Sequence, residues 1–479
     1  RMIVAATRTD GNLLTIGDRN FSRRAIALQL QNNPAAIAGS TSPPLGATVN
    51  IKSRSGNLVL DPEYGGINLG SDITHVPLGY AGVSSDNGAG LVSNAGNYNL
   101  QVPAGMNGLD RGLIATPSME SFAINLRREF TSRVEAFLDV SRLGNAGHTF
   151  FTNVPSSVAN LSDDAPNNPF QQDIRVRFPT PNVTFERTFE STTLRALGGV
   201  IVSLPASWMG EVDYGWSRSR YQDAQASQAI DSAGLAALRT GLPSADGRPA
   251  LNVLQEGNTY PLDYSPYLLP SPNTFYGPQD SVLNDLTLRL SGPVVALPAG
   301  TLSLSALVGR RRERIEDSIY QDISTSTREP IYSYYPTRSQ NANSFYIEAN
   351  VPLISKANAL PYARELQVQA SIRHDRYTTT SDPTFSYSVD SREGPFPELN
   401  SSVSQLKSTD YTLALRYAPV ESVAFRASFG TGFLPPTVMQ IASTVGTSTF
   451  NRGNDPKRGN TPMYVGVPYE SISGGNPNL

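Results

Sequence analysis

Hydrophobic and polar residues alternate along five pairs of segments, and a tight turn joins the two segments of each pair. The clearest pair runs from Tyr411 to Gly430, where apolar side chains occupy every second position on both sides of a turn at 419–422. Alternation of this kind over about eight residues predicts β-strands with one apolar and one polar face. The pattern predicts strand hairpins near 119–142, 192–221, 281–315, 340–379 and 405–431.

The connections within these hairpins are short, whereas those between them are long. The predicted turns lie at 130–132, 205–207, 297–300, 354–363 and 419–422. The predicted long connections lie at 143–191, 222–280, 316–339 and 380–404, after a first stretch at 7–118. This asymmetry is typical of membrane barrels, with short turns on the periplasmic side and long loops outside. We therefore predict an all-β fold, an antiparallel up-and-down transmembrane β-barrel of which residues 1–479 form a part.

The absence of charge from the alternating apolar positions indicates which face of each strand meets lipid. A lipid-facing Arg or Lys at the bilayer midplane costs about 2–4 kcal/mol, so the apolar face is assigned to lipid and the charged face to a wet lumen. The predicted lumen-facing charges are Glu211, Asp213, Arg289, Glu348, Arg373, Arg416 and Arg426.

A soluble β-sandwich also alternates, but its strands average about 5–6 residues and its connections are short. Here the alternation persists for about 10 residues, the length that crosses a bilayer on a tilt. The composition excludes two classes of protein. The net charge of −3 leaves no basic footprint for nucleic acid, and the absence of Cys excludes a disulfide framework. Met2, Val4 and Ala6 read like the end of a strand already under way, so we expect a fragment of a larger barrel.

Five segments resemble those of TonB-dependent outer-membrane receptors. Phe425–Pro436 is similar to the family segment R-A-S-x-G-x-G-F-R-x-P, with Leu434 in place of the Arg that many members carry. The other four are Asn167–Phe170 (x-N-P-F), Ser344–Leu353 (E-x-x-x-P-L), Glu365–Tyr377 (E-L-x-x-x-x-x-x-R-x-D-x-Y) and Gly475–Leu479 (G-N-P-x-L).

The resemblance implies a bacterial outer-membrane barrel of about 22 strands whose lumen is plugged by an N-terminal domain. It also implies three partners: outer-membrane lipid, the TonB complex acting through a plug domain not seen in this sequence, and an unidentified nutrient. Neither a cofactor, a metal nor an enzymatic activity is implied, and the three His (His75, His148 and His374) are scattered.

Aromatic residues in the predicted outer loops are the candidates for ligand contact, namely Tyr332, Tyr334, Tyr335, Tyr264, Tyr267 and Tyr276. Rings on an outer rim stack on sugars or flat chelates. The alternative interpretation is that they pack the loops against one another. Arg310–Arg312 and Arg314, at the outer end of a strand, either attract an anionic chelate or form a solvated face.

The function predicted from these observations is TonB-dependent uptake of a scarce nutrient, such as a siderophore or a carbohydrate, through the outer membrane. Two alternatives stay open at this point. One is a passive porin-like channel, and the other is a secreted β-rich surface or adhesin protein.

Overall fold

The structure is a computed structural model of the 479-residue chain. It describes the whole chain except residues 106, 151–156, 181–184, 383, 442–445, 451–453, 456–460, 463–468 and 474–479. The Gly475–Leu479 segment that resembles a family motif lies outside the described residues.

Strands dominate the described chain. In chain order they are β1 (Met2–Asp10), β2 (Leu14–Thr15), β3 (Asn50–Ser53), β4 (Ile73–His75), β5 (Gly112–Ile114), β6 (Thr116–Thr131), β7 (Val134–Phe150), β8 (Val158–Leu161), β9 (Ile174–Arg177), β10 (Phe185–Ser203), β11 (Met209–Ser227), β12 (Thr274–Leu297), β13 (Gly300–Ile315), β14 (Ser318–Ile323), β15 (Pro330–Tyr335), β16 (Arg338–Ile354), β17 (Glu365–Ser381), β18 (Tyr387–Val389), β19 (Ser402–Val420), β20 (Val423–Gly430), β21 (Gly446–Phe450), β22 (Asn454–Asp455), β23 (Thr461–Pro462) and β24 (Tyr469–Ser473).

Helices are few and short within the described residues. They are α1 (Phe21–Asn32), α2 (Pro34–Ala38), α3 (Ala89–Ser93), α4 (Ser232–Thr240) and α5 (Val438–Ile441), with single turns of 3₁₀-helix at Pro62–Tyr64, Val83–Ser85, Pro205–Ser207 and Ser265–Tyr267. Over the part of the chain that the structure describes, none of them combines the length and the apolar character needed to cross a membrane.

One large antiparallel sheet, which we call the wall, contains the predicted hairpins. Its strand order is β1-β6-β7-β10-β11-β12-β13-β16-β17-β19-β20, and β1 and β20 are its two edges. The register places apolar residues side by side, as in the row Val200, Val212, Leu288, Val308 and Phe345 across five strands. These five side chains are exposed, as expected of a surface that faces lipid. The predicted all-β antiparallel fold is confirmed.

The two ends of the wall differ as the sequence predicts. At one end the connections are short, for example residues 298–299 between β12 and β13. The long connections lie at the other end, at 11–115, 151–184, 228–273, 316–337 and 382–401. From β6 to β19 the wall strands run for 16–24 residues, so the predicted loop bounds were too wide. The outer parts escaped detection because polar residues occupy both faces there, as do Glu186 and Glu190 on one face of β10 and Arg187 and Ser191 on the other.

Three of the long connections pack into one unit, which we call the outer lobe. A four-stranded sheet ordered β4-β3-β9-β8 and helix α4 enclose its hydrophobic core. The core joins Ile51 of the first connection, Phe170 of the second, and Leu238 and Tyr267 of the third, each no more than 1% exposed. These connections are therefore structured around a shared hydrophobic core, which the sequence did not predict. The apolar residues of this core lie far apart in the sequence, so no local hydrophobic periodicity predicts it.

The Asn167–Phe170 motif closes one corner of the outer lobe. The Asn168 amide donates to the carbonyl oxygens of Ser162 at 2.8 Å and Gln172 at 2.9 Å, which satisfies a nearly buried polar group. This turn directs Phe170 into the core, where its side chain is fully buried.

A second outer structure, which we call the rim sheet, extends from the wall strand β12. Strand β14 pairs with β12, β15 pairs with β14, and β18 pairs with β15. The tyrosines at 332–335 therefore lie on strand β15 and not in a loop, which corrects the prediction. Only six residues separate β14 from β15, so the whole hairpin lies within the single long connection predicted at 316–339.

Candidate functional site

The polar face of the wall carries its charges in separate clusters, and the first is centred on Arg289. Glu211 and Arg289 are direct partners in the antiparallel register of β11 and β12. Arg289 Nη1 donates to Glu211 Oε1 at 3.0 Å and to Asp213 Oδ2 at 2.8 Å. All three side chains lie on the face opposite to the apolar Val212 and Leu288, because successive strand residues point to opposite faces. The cluster ties two neighbouring strands together on the polar face.

A second cluster lies on β16 and β17, where Arg373 falls in the same cross-strand row as Arg289. Arg373 donates to Asp375 at 2.7 Å and 3.1 Å, and the Ser344 hydroxyl donates to the same carboxylate at 2.5 Å. The Glu348 carboxylate accepts a hydrogen bond from the Tyr346 hydroxyl. Charged groups on this face are thus held by neighbours on the same or the adjoining strand, which fixes their positions along the wall.

An open cavity of about 510 Å³ adjoins the second cluster. The segment that follows β20 forms its other side, and the backbone oxygen of Pro436 accepts a hydrogen bond of 3.2 Å from Gln340 on β16. The ring of Phe433 lies 5.9 Å from that of Tyr377. The segment Phe425–Pro436, which carries the most specific resemblance, therefore ends by folding back over the polar face of the wall.

The third cluster lies toward the short-turn end of the wall. Arg416 Nη1 donates to Glu365 Oε1 at 2.6 Å, and Arg416 lies directly opposite Arg426 in the register of β19 and β20. Both cations line an open cavity of about 390 Å³ together with Gln367 and Gln369. The predicted lumen residues are thus distributed over six wall strands between β11 and β20 and do not form one site.

The tyrosines of the rim sheet pack against other rings. Tyr334 is 9% exposed and stacks on Phe396 with ring centroids 4.4 Å apart and an interplanar angle of 8°. Tyr335 makes edge contacts with Phe385 at 5.1 Å and with Tyr276 at 6.2 Å. Tyr332 is half-buried on the same strand. These contacts hold the rim sheet together, and a role in ligand contact stays a prediction for these residues.

Tyr264 and Tyr267 lie in the core of the outer lobe, at 7% and 0% exposure. The Tyr267 hydroxyl donates to the Pro249 carbonyl at 2.5 Å. Helix α4 approaches the ring so closely at Gly234 that a Cβ there would lie 2.8 Å from the Tyr267 Cβ. Burial raises the pKa of the Tyr264 hydroxyl above its ordinary value, since the charged form is disfavoured away from water. Ligand contact by these two rings also stays a prediction.

The outer lobe contains a buried group of ion pairs that the sequence analysis did not predict. Asp231 accepts from Arg248 Nη1 at 2.6 Å and from Arg328 Nη1 at 3.1 Å, and its other oxygen caps helix α4 by accepting from Gly234 N at 2.8 Å. Both arginines also donate to the Pro266 carbonyl. An Asp before a helix is a recognisable N-cap signal. The partners were not predictable, because Arg328 belongs to a different connection.

Two carboxylates of the outer lobe are held in their charged form. Hydrogen bonds from Arg248 and Ser244 lower the pKa of Asp246 to about 2. Burial favours the neutral form of Glu256, but hydrogen bonds donated by Thr259 and Asn258 outweigh it and lower its pKa. These four partners lie within three residues of the carboxylates they stabilise.

Comparison with known proteins agrees with this geometry. A family model described as TonB dependent receptor-like, beta-barrel matches residues 125–479, which is most of the chain. The match includes the wall strands from β7 to β20 and the three connections that supply α4 and the rim sheet. No curated protein matches the sequence significantly.

Proposed function

This chain belongs to the TonB-dependent receptor-like β-barrel family, and from that premise we propose that it binds a scarce nutrient and imports it with energy delivered through TonB. The family consists of bacterial outer-membrane receptors and transporters. Within such a receptor, the wall faces lipid, the polar face lines the lumen, and the outer lobe and rim sheet form the surface that nutrients meet first.

The observation that carries this proposal is the contrast between the two ends of the wall. At the short-turn end each connection has ten residues or fewer, whereas at the other end three connections build a lobe with its own hydrophobic core. A passive channel needs an open mouth. An ordered structure above the wall instead supports capture of a specific ligand before import, since rigid elements position binding groups.

The lumen charges support an import path lined by water. Arg289 and Arg373 are each about half exposed although they are paired with carboxylates. Opposite charges alternate along this face, with Arg289 between Glu211 and Asp213. A path lined by both positive and negative charges accommodates polar ligands, because no strong field of one sign holds them in place. We expect TonB to act through a plug domain that occupies this lumen.

Uptake by cells that carry or lack the gene tests the proposal. Cells are given ⁵⁵Fe-siderophores, ⁵⁷Co-cobalamin or ¹⁴C-oligosaccharides in parallel, with and without a protonophore. We expect gene-dependent uptake of one class of label, lost on addition of the protonophore and on deletion of TonB. Gene-dependent uptake that survives both treatments would contradict the proposal and favour a porin-like channel.

A further inference from the structure

The four basic residues at the outer end of β13 do not form one patch, because consecutive strand residues point to opposite faces. Arg311 lies on the lumen face, where its guanidinium is 3.6 Å from Glu313. Arg310, Arg312 and Arg314 lie on the opposite face, which is the face that meets lipid lower down the strand. The outward-pointing residues therefore have an environment that differs from that of the lumen.

Arg310 is the first member of a row that crosses four wall strands. The row continues across the register with Asn343 on β16, Arg376 on β17 and Lys407 on β19, each directly opposite the residue before it. All four side chains are exposed. Adjacent strands are about 4.8 Å apart, so three cations fall within about 15 Å along this line. We call Arg310, Arg376 and Lys407 the basic row.

The basic row is electrostatically unfavourable within the protein alone. Arg376 and Lys407 are direct cross-strand partners, and like charges in that position destabilise a sheet. Among the described residues, none of the three forms an ion pair with an acid, and Arg376 donates only to the neutral Gln405 at 2.8 Å. Other outward arginines do have acidic partners, as Arg218 has in Asp280 at 2.7 Å. Within the described residues the basic row is therefore left without a counter-charge, which an external anion would supply.

The position of the basic row identifies where that anion lies. The next outward-facing row toward the short turns contains the exposed apolar residues Leu288, Val308 and Phe345, and it continues on β17 and β19 with His374 and Thr409, which hydrogen-bond to each other. On these two strands the exposed apolar residues Ile372 and Tyr411 follow one row further. Two residues of a strand span about 7 Å, so the cations lie one or two such steps above the apolar band, on its outer side. Lipid headgroups occupy that level of a membrane.

We propose that the basic row binds the phosphate groups of anionic lipids in the outer leaflet. Arg376 and Lys407 form one contact point and Arg310, about 10 Å away, forms a second, which suits a lipid headgroup that carries two phosphates. Arg supplies several N–H donors to a phosphate and Lys supplies a point charge. Bound lipid would screen the repulsion within the row and seal the wall against the headgroup layer.

Binding of bisphosphorylated lipid A to the purified full-length protein in uncharged detergent tests the proposal. The test variant is Arg310→Gln/Arg376→Gln/Lys407→Gln. A cation near an anionic lipid surface contributes about a fivefold gain in affinity, so we expect the triple variant to bind on the order of a hundredfold more weakly. Raising the salt concentration should weaken binding to the unaltered protein.

Arg311→Gln is the matched control, because it removes the same charge from the same strand on the lumen face. It should bind the lipid as the unaltered protein does. Arg310→Lys/Arg376→Lys should keep most of the affinity, and heat-modified migration on gels should show that all variants form the wall. Lipid A stripped of both phosphates should bind the unaltered protein as weakly as bisphosphorylated lipid binds the triple variant.

Two outcomes would overturn the proposal. One is equal lipid binding by the triple variant and Arg311→Gln, which would assign the affinity to the apolar band alone. The other is complete displacement of lipid A by millimolar inorganic phosphate, which would make the row a site for soluble anions.

Discussion

Arg328 donates a hydrogen bond of 3.1 Å to the carboxylate of Asp231, although 97 residues separate them in the chain. The contact joins the rim hairpin to the outer lobe, since Arg328 lies in the β14–β15 turn and Asp231 caps helix α4. The Asp231 side chain is 3% exposed, so its charge depends on Arg328 and Arg248 for compensation. One buried carboxylate thus links helix α4 to the β14–β15 hairpin, which belong to different connections of the wall.

Asp231→Asn should loosen the outer lobe without unfolding the wall. Asn remains a good N-cap, so any loss of stability in this variant comes from the two ion pairs. Hydrogen bonds to a charged group contribute about 1.5–3 kcal/mol to the free energy of unfolding. Asp231→Ala should cost about 1 kcal/mol more, because it also removes the cap. Hydrogen exchange of the α4 amides measures both effects. Equal protection in Asp231→Asn and the unaltered protein would show that the pairs contribute nothing.

Leu290→Arg and Gln369→Arg should differ in membrane assembly. Leu290 is 39% exposed on the apolar face that is predicted to meet lipid, where a charge costs about 2–4 kcal/mol near the midplane. Gln369 borders a cavity on the polar face and should tolerate the same change. The amount of folded protein in the outer-membrane fraction, read from heat-modified gel migration, compares them. Equal amounts would mean that the faces are wrongly assigned.

Tyr334→Ala should destabilise the rim sheet more than Tyr332→Ala. The Tyr334 ring is nearly buried and stacks on Phe396, so truncation removes both buried area and a stacked pair, about 3 kcal/mol in total. Tyr332 is half-buried, and its truncation should cost less than half as much. Protection of the β15 amides from hydrogen exchange provides the comparison. A larger loss in Tyr332→Ala would contradict the packing described for the rim sheet.

The outer lobe should lose stability in acid. The pKa of Glu256 is lowered in the folded lobe, so the unfolded chain takes up a proton at a higher pH than the folded one. The stabilisation is fully present above the unfolded value of about 4.3 and is lost as the pH falls below it. The melting temperature of the lobe should be flat from about pH 7 to pH 5 and should fall below about pH 4. Glu256→Gln should reduce this fall, and an unchanged slope would rule out the Glu256 contribution.

The wall was predictable from sequence because its information is local. Alternation such as that of Tyr411–Tyr417 fixes the strand and its lipid face within a few residues, and a short turn fixes the partner strand. The outer lobe was not predictable, since Ile51, Phe170 and Leu238 become neighbours only after three connections meet. The ion pairs differ in the same way. Glu211 and Arg289 pair across adjacent strands of the wall, whereas Asp231 and Arg328 meet only through tertiary packing.

Cysteine labelling in intact cells tests the membrane orientation of the wall most directly, because the chain has no Cys of its own. Ser326→Cys places an exposed thiol at the tip of the β14–β15 hairpin, and Ser422→Cys places one in the exposed turn between β19 and β20. A membrane-impermeant maleimide should label Ser326→Cys in intact cells, and should label Ser422→Cys only after the outer membrane is permeabilised. Labelling of Ser422→Cys in intact cells, with Ser326→Cys protected, would contradict the account.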